Sequence, residues 1–183
     1  MNINESLMTE QMFIDRIMRI IMNENDNMET GIEPNYDFWL FYKGFICEFV
    51  DEHHFDKEEY IMKDLLKKDL SHEQKNRIGS ILMEHSEARK MIKRLDEIFG
   101  KTFGKNEKTL QGLKAIANVT KMYNNHSETS QKYLYSCMES MLTGKEHEKY
   151  EKMFLKRDGD IRYEIYAKNI LYHESFYKQP ARA

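Results

Sequence analysis

The residues of this chain whose types could do chemistry are imidazoles and carboxylates set at helical spacing. His54 and Glu58 stand four residues apart, which on an α-helix puts both side chains on one face a single turn apart. His85 and His126 fall in later segments, each flanked along its own stripe by apolar residues. Inward-facing His and Glu drawn from separate helices are how helical bundles hold iron. A single imidazole on an apolar face is more often a hydrogen-bonded core residue than a ligand, and only four such groups sharing one level point to ligation.

The elements that must position them read as helices throughout. Pro occurs only at Pro34 and Pro180, and apolar residues recur every three or four positions between polar breaks. The spacing predicts helix one from about Asn4 to Met22, ending in NENDNMETGIEPN, and helix two from Asn35–Asp37 to about Lys68. Ser71-His72-Glu73-Gln74 has the form of a capping box and starts helix three, which ends before Gly100. GKTFGKNEK is a loop, and helix four follows from about Thr109 to Leu142. Short connections make successive helices antiparallel, so the expectation is an all-α, up-down-up-down four-helix bundle over residues 1–144. Residues 145–183 read as a C-terminal extension of two helices broken at Asp158-Gly159 and packed on the bundle.

The inner stripes are Leu7, Gln11, Ile14, Met18, Ile21 in helix one and Cys47, Val50, His54, Glu58, Ile61, Leu65 in helix two. Those of helices three and four are Ile78, Leu82, His85, Arg89, Ile92 and Ile116, Val119, Tyr123, His126, Ser130, Tyr133, Cys137. A Leu at such a position contributes roughly 1.5–3 kcal/mol of burial. A buried polar group must instead find a partner. Polar residues near the middle of every stripe therefore imply one shared site. The same α-helical phase puts His53 about 100° round from His54, as second-layer or surface, and His72, His147 and His173 read as solvated.

At these residues the sequence resembles the hemerythrin/HHE cation-binding family of bacteria and archaea, over about residues 5–142. FICEFVDEHHFDKEEYIM, ILMEHSEARKMIKRL and YNNHSETSQKYLYSCMES are similar to that family's second, third and fourth helices. The resemblance implies non-haem iron, one or two ions, with His54, Glu58, His85 and His126 matching ligand positions. It also implies dioxygen or another small diatomic as ligand, or roles in iron, oxygen or redox sensing. Two positions depart from the pattern: Gln11 stands where the family has a helix-one His, and Ser130 where it has a bridging carboxylate. Two cations about 3.5–4 Å apart repel, and bridging carboxylates offset that repulsion. The two departures therefore point to an incomplete di-iron site. His85, His126 and Glu58 keep the composition of a two-His-one-carboxylate site, and Tyr123 and Tyr133 flank His126.

Three readings follow: an iron-binding, oxygen- or redox-responsive protein; a metal-free bundle with an interaction or regulatory role; and a mononuclear non-haem iron enzyme. No nucleophile arrangement, phosphate loop or dinucleotide fingerprint is present, so binding is favoured over catalysis. Lys+Arg 28 against Asp+Glu 31 gives a net charge of -3 with the signs interspersed, which disfavours nucleic acid. There is no signal-like N-terminus or apolar run long enough to span a membrane, so a cytoplasmic protein is expected. Cys47 and Cys137 lie on parallel helices on the order of 25 Å apart axially and cannot pair.

Overall fold

The structure, a computed structural model, describes the backbone of residues 2–101, 107–122 and 124–177. Side chains are described for these except residues 100, 101, 118, 119, 121, 122 and 124–132. Among the described residues the chain is all-helical, with no strand. Helix α1 spans Ile3–Glu29 and opens on a capping box: Asn2 accepts from Asn4 N–H at 2.9 Å, and Glu5 accepts from Asn2 N–H at 3.0 Å. Helix α2 (Tyr36–Gly44) passes without a break through a π-helical stretch, Phe45–Phe55, into α3 (Asp56–Leu65). Helix α4 (His72–Lys101) starts at the expected box, with Ser71 Oγ accepting from Gln74 N–H and Gln74 Oε1 from Ser71 N–H. Then come α5 (Glu107–Met122), α6 (Asn124–Met141), α7 (Gly144–Asp160) and α8 (Tyr163–Ser175).

Three boundaries differ from the sequence expectation. Helix α4 runs through Gly100 to Lys101, into the segment expected as loop. Helix α1 runs past Met22 to Glu29, because the polar residues beyond have partners inside the fold. Glu24 Oε2 accepts from the Trp39 indole at 3.0 Å and from Asn35 N–H at 2.9 Å, and the Tyr177 hydroxyl donates to Glu24 Oε1. Helix α7 continues through Asp158 and Gly159, and the break falls at Ile161–Arg162. A helical Gly costs only about 1 kcal/mol relative to Ala, and the inward bonds of Asp158 offset that.

Two apolar clusters form the core. One gathers Ile14, Ile17, Phe38, Trp39, Phe45, Phe49, Ala88, Leu113 and Ile116; the other gathers Leu7, Ile61, Leu65, Ile78, Ile81, Leu134, Met138, Tyr150 and Phe154. Helix α1 passes from the second cluster to the first between Leu7 and Ile14, and α4 does so between Ile81 and Ala88. The Tyr36–Leu65 stretch passes the other way, between Phe55 and Ile61. At each crossing sit buried polar residues: Glu10 and Gln11, then His53, His54, Lys57 and Glu58, then His85. Helices α7 and α8 pack on α1, and the α7–α8 junction reaches this polar layer.

Candidate metal centre

His54, Glu58 and His85 are fully buried and consecutive across the layer. Glu10 Oε2 accepts a hydrogen bond from His54 Nδ1 at 2.8 Å. A carboxylate only accepts, so the proton of a neutral His54 sits on Nδ1 and its Nε2 carries the lone pair. That Nε2 has no hydrogen-bond partner among the described residues and faces Glu58 Oε1 at 3.7 Å. The other oxygen, Glu58 Oε2, lies 3.1 Å from His85 Nε2, while His85 Nδ1 lies 3.2 Å from Glu59 Oε1. Arg89 donates to Glu59 Oε1 at 2.7 Å and to Asp51 Oδ1 at 2.6 Å. The Phe55 ring stacks on His85 with centroids 3.8 Å apart and covers it from water.

Each imidazole is thus fixed through Nδ1 by a carboxylate and turns Nε2 toward Glu58, the arrangement that sets tautomer and basicity in a metal ligand. Hydrogen bonding to His85, against burial and with Arg89 beside it, holds the Glu59 carboxyl at about 2. Burial pushes Glu10 up, but the bonds to His53 and His54 and the Lys57 ammonium outweigh it and keep that carboxyl far below its ordinary value. Burial lowers His85, and its bonds to Glu58 and Glu59 raise it further, for a net upward shift.

A second cluster abuts the first. His53, expected in a second layer or at the surface, is buried and stands behind His54, sharing its partner Glu10. The Phe45–Phe55 stretch is π-helical, its wider i→i+5 turns rotate successive residues by less than an α-helix does, and both His53 and His54 come inward. His53 Nε2 lies 3.1 Å from Glu10 Oε1, 3.2 Å from Asp158 Oδ1 and 3.0 Å from the Tyr163 hydroxyl. Glu10, His53 and Asp158 bring ligand atoms within 4.8 Å of one another. The Lys57 ammonium donates to two of those same oxygens, Glu10 Oε1 and Asp158 Oδ1.

Of the other sequence candidates, the side chains of His126, Tyr123 and Ser130 lie outside the described residues. Gln11 is buried and donates to Asp15 Oδ1 at 2.9 Å. Tyr133 is turned away, its ring under the Arg77 guanidinium at 3.6 Å. Tyr135 is the buried phenol near the layer; burial first, then the charge of Glu58, pushes its hydroxyl strongly upward, so it stays protonated. His173, expected in solvent, is buried, stacked on Phe41 with centroids 5.3 Å apart. Sequence reasoning missed Glu10, Lys57, Asp158 and Tyr163. Glu10 was legible in principle, three residues after Leu7 and four before Ile14, but Asp158 and Tyr163 carry no local signal.

The donors present fit one cation. A buried imidazole nitrogen facing a carboxylate oxygen across 3.7 Å is an arrangement that a positive ion between them stabilises. Nitrogen and carboxylate donors suit iron or zinc. Among the described residues, Gln11 is engaged with Asp15 and the neighbouring carboxylates hold an ammonium, which leaves no donors there for a second ion.

The described residues thus make an all-helical protein with a buried layer of imidazoles and carboxylates. The Hemerythrin HHE cation binding domain matches residues 7–138, and the chain is a member of that family. No curated protein and no solved structure matches it. Among the described residues no helix is long and apolar enough to cross a membrane.

Proposed function

We propose that this is a hemerythrin-like non-haem iron-binding protein of the cytoplasm that takes one ion at His54, Glu58 and His85, with His126 as a further ligand, and responds to dioxygen or redox state. The observation that carries the reading is His54 Nε2, buried and, among the described residues, without a hydrogen-bond partner beside Glu58. Iron bound there would supply one-electron chemistry and open positions for a diatomic ligand. The chain's residues do the rest: Glu10 and Glu59 hold the two imidazoles in register, Arg89 anchors Glu59, and Phe55 excludes water. The alternating sense in which successive helices cross the two clusters supports an up-down-up-down bundle over residues 1–144, with 145–183 as an extension on it.

Anaerobic loading with ferrous iron, metal analysis after gel filtration, and a visible spectrum before and after air test this. About one retained equivalent with an air-dependent spectral change is expected. Zero equivalents would instead favour the metal-free bundle, a reading supported by His85, whose two nitrogens both stand within 3.2 Å of carboxylates. An enzyme needs a substrate cavity at the site. Among the described residues, a cleft of about 410 Å³ beside α8, lined by residues such as Leu40, Phe45 and Tyr166, includes none of His54, Glu58 or His85.

A further inference from the structure

A second cation position adjoins His54, and the chain fills it with its own side chain. Lys57 is fully buried. Its ammonium donates to Ser6 Oγ at 3.1 Å and to Glu10 Oε1 and Asp158 Oδ1, and it lies 4.8 Å from the Phe154 ring centroid. The Tyr163 hydroxyl stands 3.0 Å from each of the same two carboxylate oxygens. Remove the ammonium, and one imidazole nitrogen and two carboxylate oxygens converge within 4.8 Å, a donor set that suits a divalent transition metal. With the ammonium in place a divalent ion would have to share those oxygens with a positive charge in contact with them, and the two cations would repel.

We propose that Lys57 is the resident cation of a second metal-type site formed by Glu10, His53 and Asp158, and that its ammonium excludes a metal ion from that site in the wild-type chain. Two of these three groups lie within the family's span and Asp158 lies beyond it, on α7, so the C-terminal extension completes the site. Glu10 joins the two positions, giving Oε1 to Lys57 and Oε2 to His54. The proposal uses the single-ion reading above only for the neighbouring position at Glu58.

The test compares zinc equivalents retained after equilibrium dialysis by wild type, Lys57→Ala and the double variant Lys57→Ala/His53→Ala, with cobalt absorption as a second readout. Lys57→Ala should retain one equivalent more than wild type, and the double variant should lose it. Equal equivalents in wild type and folded Lys57→Ala overturn the proposal. Should Lys57→Ala be unfolded in chelator, zinc should restore its helical circular dichroism and buried Trp39 emission, and failure to recover at saturating zinc counts against the site. In the wild type, a second equivalent abolished by Asp158→Asn would also overturn it. Zero iron equivalents in wild type after ferrous loading sinks the iron reading while leaving this one standing, because the readout here is the zinc difference between variant and wild type.

Discussion

Glu10 and His54 are joined by a 2.8 Å hydrogen bond between Oε2 and Nδ1 that spans helix α1 and the π-helical stretch. The bond decides which imidazole nitrogen meets the centre of the polar layer, and it ties that choice to the carboxylate that also pairs with Lys57. Orientation of the candidate ligand and neutralisation of the buried ammonium thus depend on one side chain.

Glu10→Gln should therefore fail twice. Loss of the outer partner of a metal-bound His lowers affinity about 10–100-fold, which competition against a chromophoric chelator would read. Removing one partner from a buried ion pair costs about 3–5 kcal/mol, so the metal-free variant should also unfold at markedly lower urea. An affinity equal to wild type would show that the ion does not depend on His54 orientation.

His54→Phe separates metal binding from folding. Phe keeps an aromatic ring in the layer and removes both nitrogens, at the price of one acceptor bond to Glu10. A ligand present at 100 times its dissociation constant stabilises by about 2.7 kcal/mol. The rise in Tm with ferrous iron seen for wild type should disappear in the variant, and an unchanged rise would place the ion elsewhere.

Tyr163→Phe probes the contact of the extension with the layer. The hydroxyl it removes contacts Glu10, Asp158 and His53, and a hydrogen bond to a charged group contributes about 1.5–3 kcal/mol. Urea denaturation should show a loss of that order, with α7 and α8 exchanging amide hydrogens faster. No change in either would mean that the extension docks independently of the layer.

The clamp between α3 and α7 gives a pH signature. Lys68 first, then the Thr143 backbone and hydroxyl, hold the Glu146 carboxyl at about 2, against an ordinary value of 4.5. Lys149, Lys67 and Tyr150 likewise hold Asp64 well below the usual aspartate range. A depressed carboxyl contributes stability that is present above its unfolded value and lost as the pH falls through the folded one. The stability difference between wild type and Glu146→Gln should be constant above about pH 5 and shrink between 4.5 and 2. A difference that grows on acidification would contradict the clamp.

Much of the fold was legible because helical burial has a local signature. Leu7, Ile14, Ile61, Leu65 and Ile78 recur at helical spacing, and the Ser71/Gln74 box marks a helix start within four residues. The placement of His54, Glu58 and His85 in one layer was readable for the same reason, since each interrupts an apolar stripe. Glu24 was not, because a carboxylate in a run of polar residues reads as a loop until Trp39 and Asn35 arrive from the next helix.

By itself, then, the sequence determined that this chain is helical, belongs with the hemerythrin-like proteins, and lays imidazoles and a carboxylate among apolar residues, because those properties depend on residues a few positions apart. Only the tertiary structure decided the chemistry around them. The π-helical stretch settled His53 as a buried residue behind His54, where α-helical phase had left a second layer and the surface both open. The chain also brought Asp158 and Tyr163 from about a hundred residues beyond Lys57 onto the oxygens that hold its ammonium. Helical phase and long-range docking are settled by packing across the whole molecule, so the step from a row of ligand-type residues to one open position and one filled by lysine had no local trace to read.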